Sequence, residues 1–349
     1  MNQESLNIDA QARIHHAFLL GLQLMVSSNK HADIVGDWMF RLFRRQHLDK
    51  FLPGFAKLGL TDLPDAVACA QYHVMSNSVG GVPVEYMYES DRKAWVRFRY
   101  PRWMYDGPTI CGIPVSVSRG FLEGWYAHNG VSLKNPRLGF VCVSEDMTGE
   151  FGFCGYFKEY DHELLEEERL QFAWGELPPV FNPENQPGLP NDQWNDERLQ
   201  KANRNYAIDY IRNGLIELSA TVGSQECKSL AGRAARLIGL QYMNETRLII
   251  GTDDGGLSSG ADYLSKMFTG MGDEVTVEQV EGVDDRAAVK VTQRGLRIVH
   301  GLDGEQRDLV LDCWIELWIG ALSAYREMKV ATVQREECEL VWIIQTRVR

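Results

Sequence analysis

The chain has 349 residues, enough for roughly two domains of ordinary size, and 44% hydrophobic residues with 9 Trp, 13 Tyr and 14 Phe, which excludes a disordered chain. Its 48 Asp and Glu outweigh 36 Lys and Arg for a net charge of -12, which disfavours nucleic acid and anionic lipid as partners. The start, MNQESLNIDAQARIHH, lacks a signal-peptide pattern, and the longest apolar run, Ala17 to Val26, is too short to span a bilayer, so a cytoplasmic protein without membrane contact is expected.

In chain order, apolar spacing predicts helices over 10–27 and 31–52, the second stopped by Pro53-Gly54, and a third over 63–78. The basic cluster Arg41, Arg44 and Arg45 reads as a solvated face of the second. Alternation over 82–88 and 95–100 then predicts a hairpin, followed by a helix over 115–128 and a second hairpin from 138–143 and 151–157. Residues 175–195, GELPPVFNPENQPGLPNDQWN, read as a connector or a long surface loop.

The second half repeats the order. Helices are expected over 205–220, 227–243 and 261–268, with 248–251 either a short strand or the approach to the Gly-rich turn GTDDGGLSSG. A hairpin follows over 275–280 and 287–291, then a helix over 309–326 and strands over 329–333 and 339–346. The shared sequence of period changes, with Gly124 opposite Gly320 in matching helices, predicts an α+β chain of two tandem diverged units. Each is expected to pack helices on a small antiparallel sheet in the order helix, hairpin, helix, hairpin. The expected boundaries are 1–175 for a first unit holding the ligand or active site, 176–200 for a Pro-rich connector, and 201–349 for a scaffold-like second unit.

No phosphate-binding loop, GxGxxG, HExxH or GxSxG motif is present. Cys111, Cys142, Glu145 and Cys154 lie within one short stretch, and thiolates with a carboxylate suit tetrahedral zinc, the one cofactor in view. Buried cysteines packed as small hydrophobes explain the same residues. His73 with Glu85 is a candidate acid/base pair, and more widely His73 or His128 is the expected base with Glu85, Glu123 or Glu145 as its partner. Trp95, Arg97, Arg99 and Tyr86 form an arginine–aromatic group that fits either a clamp for the carboxylate of a ring-bearing ligand or a snorkelling surface, and Trp125 joins it as a candidate substrate contact.

The stretch CGIPVSVSRGFLEGWYAHNGVSLKNPRLGFVCVSEDMTGEFGFCGYF resembles the vinyl-reductase-type small-molecule-binding domain. That family includes aromatic-sensing domains of bacterial activators and the core of vesicle-tethering subunits. Cys111, Gly124, Gly149 and Cys154 fall near its pattern, Cys142 and Glu145 match it loosely, and the second half keeps Gly320 and Cys338 alone. The resemblance implies zinc held by cysteines beside a pocket for a hydrophobic effector. The chain also resembles, more distantly, small bacterial ring-opening amidine hydrolases of the aminothiazoline carboxylate hydrolase type, a likeness that assigns no residues.

The functional expectation is an enzyme, a hydrolase or lyase, acting on a small ring-bearing or carboxylate substrate in the first unit. The alternatives are a sensor that binds a small molecule without turnover and a structural or assembly protein. The expected partners are a small-molecule ligand or substrate, with a homo-oligomer left open.

Overall fold

The computed structural model describes residues 2–190, 194–282 and 286–347. The chain is α+β and forms two compact units, Ser27–Leu199 and Met1–Val26 with Gln200–Arg349. Among the described residues no helix is long and apolar enough to cross a membrane.

Helix α1 (Gln3–Asn29) is buried on most of its faces from Asn7 to Val26. The sequence places it in the 1–175 unit, whereas it packs within the unit that holds the C-terminal half. His15 shows why. Trp314 donates its indole N–H to His15 Nε2 across 2.9 Å, and the other ring nitrogen reaches the Gln11 carbonyl at 2.6 Å.

The Ser27–Leu199 unit begins with α2 (Ala32–Lys57) and α3 (Asp65–Val79). On α2, Val35, Trp38, Met39, Leu42 and Phe43 recur at helical spacing and are buried. Pro53 does not end α2 as expected, because the helix continues for one more turn to Lys57. Strands β1 (Val84–Ser90) and β2 (Lys93–Phe98) form the first hairpin. Helix α4 (Val115–Gly124) follows, shorter than expected because residues 126–128 tighten into a 3-10 turn ahead of the short α5 (Asn129–Ser132). Strands β3 (Leu138–Ser144) and β4 (Cys154–Glu159) form the second hairpin. A three-residue strand, β5 (Leu170–Phe172), not legible in the sequence, pairs parallel with β3 at the sheet edge. The sheet order is β1-β2-β4-β3-β5.

The other unit adds α6 (Asp196–Val222), α7 (Ser224–Ile250), α8 (Gly256–Met271), β6 (Glu274–Glu281), β7 (Ala287–Arg294), α9 (Gly304–Leu322), β8 (Met328–Arg335) and β9 (Glu339–Thr346). Residues 248–250, for which the sequence offers a short strand or the approach to a turn, are the end of α7, which Gly251 caps in the left-handed conformation ahead of the turn. The sheet order is β6-β7-β9-β8. From α2 in one unit, and from α7 in the other after its additional helices α1 and α6, the longer elements run helix, helix, hairpin, helix, hairpin, and the four-stranded cores have one strand order.

The matching glycines have one physical reason. A Cβ on Gly124 of α4 would lie 2.6 Å from the Phe40 carbonyl oxygen of α2. In the other unit, Gly320 of α9 presses against the Arg236 backbone of α7 in the same way. Glycine costs a helix roughly 1 kcal/mol against alanine, and close backbone approach offsets it.

The Pro-rich segment after β5 is no free linker. Gln186 donates to the Val84 carbonyl at 2.6 Å and accepts from the Tyr86 amide at 3.0 Å, so it is stitched to strand β1.

Candidate functional site

Three elements of the Ser27–Leu199 unit enclose a cavity of about 410 Å³. Helix α2 contributes Phe40 and Arg44, one turn apart. The end of α4 and its 3-10 extension contribute Glu123 and His128. The approach to β5 contributes Glu166, Glu167 and Arg169, and β5 itself contributes Phe172. His128, one of two candidate bases from sequence, and Glu123, one of three candidate partners, thus line one cavity.

Arg44 was read as part of a solvated helix face. Instead its Nε donates to the Gly124 carbonyl at 2.9 Å and its Nη2 to the Glu123 carbonyl at 3.0 Å. These are orphan carbonyls at the C-terminus of α4, where a cation is favoured. The guanidinium also lies 5.0 Å over the Phe40 ring. Arg169 faces the same cavity. Among the described residues neither arginine forms an ion pair with a carboxylate. Burial lowers the Arg44 pKa; Glu166 opposes it, and Arg169 adds a smaller lowering.

His128 sits in this positive field. Burial, followed by Arg44 and Arg169, pushes its pKa down to about 4. It is therefore a neutral imidazole at pH 7, and its ring nitrogens have no hydrogen-bond partner among the described residues. Beneath it lies His47, with ring centroids 5.1 Å apart. His47 is stacked on Phe51, bonded to Ser132 Oγ at 2.8 Å, and lowered to about 3 by burial, His128 and Arg44. Trp125 packs 5.4 Å from His47 and does not line the cavity.

The pair of His73 and Glu85 is not assembled. His73 is buried in the core, stacked 3.9 Å from Tyr126 and 5.4 Å from Phe157, with Asn129 Nδ2 3.2 Å from its Nε2. Burial drives its pKa far down. Glu85 lies across the sheet. It pairs in register with Arg97, and Arg97 with Cys154, which belongs to the apolar cluster of Met87, Trp95 and Tyr156 on the opposite face. Successive strand residues alternate between faces, so His73 against Phe157 and Glu85 beside Met87 are separated by the sheet itself.

The arginine–aromatic group is split by the same alternation. Trp95 and Arg97 share the face of Glu85, whereas Tyr86 turns toward α3, where its hydroxyl meets Gln71. Glu85 takes both arginines: Arg97 Nε reaches Oε2 at 2.6 Å and Arg99 Nη1 reaches Oε1 at 2.5 Å. Trp95 donates its indole N–H to Glu89 at 2.6 Å.

The zinc set is not formed. Among the described residues no group of three or more His, Cys, Asp or Glu is placed to hold a metal. Cys111 is exposed on a 3-10 turn. Cys142 and Cys154 are buried thiols on adjacent strands, and Cys154 faces the apolar cluster with Val141 and Val143, which flank Cys142 and share that face. Cys142 therefore points the other way. Burial raises both thiols, Cys154 to about 12, which disfavours the thiolates that a metal requires. Glu145 is occupied by Arg119, with Nε to Oε1 at 3.1 Å.

No protein-family model, curated protein or solved structure matches the chain.

Proposed function

We propose that the Ser27–Leu199 unit is an enzyme, a hydrolase or lyase, acting on a small organic carboxylate bound in the cavity of Arg44, Arg169 and His128. One observation carries this reading: two neighbouring guanidiniums, neither in an ion pair among the described residues, flank an imidazole held neutral at pH 7. Arginine forks suit a carboxylate, and neither guanidinium is ion-paired to Glu123, Glu166 or Glu167, the carboxylates that line the same cavity. The substrate's apolar body would rest on Phe40 and Phe172. His128 would then accept the proton of an attacking water in a hydrolase, or of a C–H beside the carboxylate in a lyase. Glu123 on the rim would accept a hydrogen bond from the substrate.

The test is mass spectrometry of a panel of cyclic and acyclic carboxylates incubated with the purified chain. Gain of water, or loss of a neutral fragment, by wild type and its absence with His128→Gln is the expected result. Equal conversion by both proteins would remove His128 from the chemistry.

A second reading, binding without turnover as in the vinyl-reductase-type sensors, is supported by the lack of a carboxylate orienting the His128 ring. It requires tight ligand binding with no chemical change in the same panel.

A further inference from the structure

The outer face of the first sheet carries an apolar cluster of Met87, Trp95, Val141, Val143, Cys154 and Tyr156. Across it runs the Pro-rich segment, fixed at two points. At one end Glu176 accepts from Lys93 Nζ at 2.8 Å and from the Tyr156 hydroxyl at 2.9 Å. At the other, Gln186 bonds to the backbone of β1 on both its donor and acceptor sides. Pro178, Pro179 and Pro183 lie between these anchors and each fixes the backbone φ, Pro183 at the start of a 3-10 turn over Pro183–Asn185. Phe181 packs down onto the cluster, while Leu177 and Val180 remain 72% and 95% exposed.

Beneath this strap is a cavity of about 340 Å³, with walls of Met87, Phe151, Phe181 and the strap residues. Its one charged lining residue is Arg97. Glu85, buried, serves Arg97 and Arg99 together, so three charges sum to one net positive at the edge of an apolar cavity. A carboxylate shared by two guanidiniums leaves a net positive charge beside apolar walls, which is complementary to a ligand with one negative charge and a ring-bearing body.

We propose that the space under the Pro-rich strap is a second ligand site, distinct from the His128 cavity, which takes a monoanionic ring-bearing molecule with its anionic group on Arg97. The site stands whether or not the His128 cavity is catalytic, because the two share no lining residue.

The test uses two fluorescent probes with the same rings on the full chain: anilinonaphthalene sulfonate, which is anionic, and N-phenyl-1-naphthylamine, which is neutral. Wild type is expected to bind the anionic probe one to one and about tenfold more tightly, the scale of one charge-assisted hydrogen bond. Arg97→Gln should erase that preference and leave the neutral probe bound as before. Leu177→Asp, at an exposed strap position that does not threaten folding, should weaken both probes at least about tenfold. Arg169→Gln in the other cavity should change neither. The proposal is overturned if the anionic preference survives Arg97→Gln in folded protein, if both probes bind Leu177→Asp as they bind wild type, or if Arg169→Gln abolishes binding.

Discussion

Arg44 Nε donates to the backbone carbonyl of Gly124 across 2.9 Å, so the guanidinium is held by the end of α4 rather than by a carboxylate. The same glycine brings α4 onto α2, since a Cβ there would lie 2.6 Å from the Phe40 carbonyl oxygen and 3.0 Å from Phe43 Cβ. Close packing of two helices and the position of a cavity arginine thus depend on one small residue.

Gly124→Ala should therefore destabilise, by about 1–3 kcal/mol for overpacking against backbone. On a solvent-facing helix the same change would stabilise by a few tenths to about 1 kcal/mol. Urea unfolding distinguishes the signs. Gly320→Ala is expected to behave in the same way, because it meets the Arg236 backbone. A stabilised Gly124→Ala protein would contradict the close approach.

Stability should fall as pH drops from neutral. Burial lowers His15 to about 4, and His16 and His47 to about 3, against about 6.5 in the unfolded chain. Between these values the unfolded chain binds more protons, so the stabilisation is complete above about pH 6.5 and is lost as pH falls through the window. At pH 5 each of the three costs roughly 2 kcal/mol relative to pH 7. Asp273 acts in the opposite sense, since burial raises it to about 6. Its contribution is stronger at pH 5 than at pH 7 by roughly 1–2 kcal/mol, too little to reverse the trend. Circular dichroism should show a clearly lower Tm at pH 5. An unchanged Tm would mean that these histidines are not buried neutral.

Arg102 and Asp146 form a fully buried ion pair, with Asp146 also accepting from the Tyr100 hydroxyl at 2.8 Å and Ser118 Oγ at 3.1 Å. The Arg102 guanidinium lies 4.3 Å over Phe98. Asp146→Ala should cost about 3–5 kcal/mol, because it leaves a buried guanidinium without its counter-charge. The double variant Arg102→Met with Asp146→Ala should recover part of that loss. Urea midpoints of the two variants check the order, and an Asp146→Ala cost below about 1 kcal/mol would contradict it.

The purified chain should carry less than about 0.2 equivalents of zinc, and a chelator should leave its Tm unchanged, since a structural site retains its metal. The reason is the alternation of β3 and β4, which turns Cys142 and Cys154 to opposite faces. Stoichiometric zinc lost together with Cys142→Ser would overturn this.

The fold was legible where periodicity was strong. The change from helical spacing on α2 to strand alternation at Val84, Tyr86 and Tyr88 located the first hairpin, and the embedded Gly124 and Gly320 marked matching helices. The site was half legible. His128 and Glu123, each a candidate from sequence, line one cavity, whereas Glu145, another candidate partner, is held by Arg119. His73 and Glu85 were paired wrongly because sequence spacing does not reveal which sheet face a neighbouring helix covers. Arg44 carried a usable signal, since it follows the buried Phe43 and lies one turn from Phe40 on the face that meets α4. Arg169 carried none: it ends an acidic run, and only the three-residue pairing of β5 with β3 brings it to the cavity.

The most direct test of the carboxylate cavity is a crystal structure of the full chain grown with benzoate. The expected density is a carboxylate within about 3 Å of both the Arg44 and Arg169 guanidiniums, with its ring against Phe40 or Phe172. Benzoate bound only elsewhere, with Arg169 in an ion pair with Glu166 or Glu167, would contradict the proposed anion site.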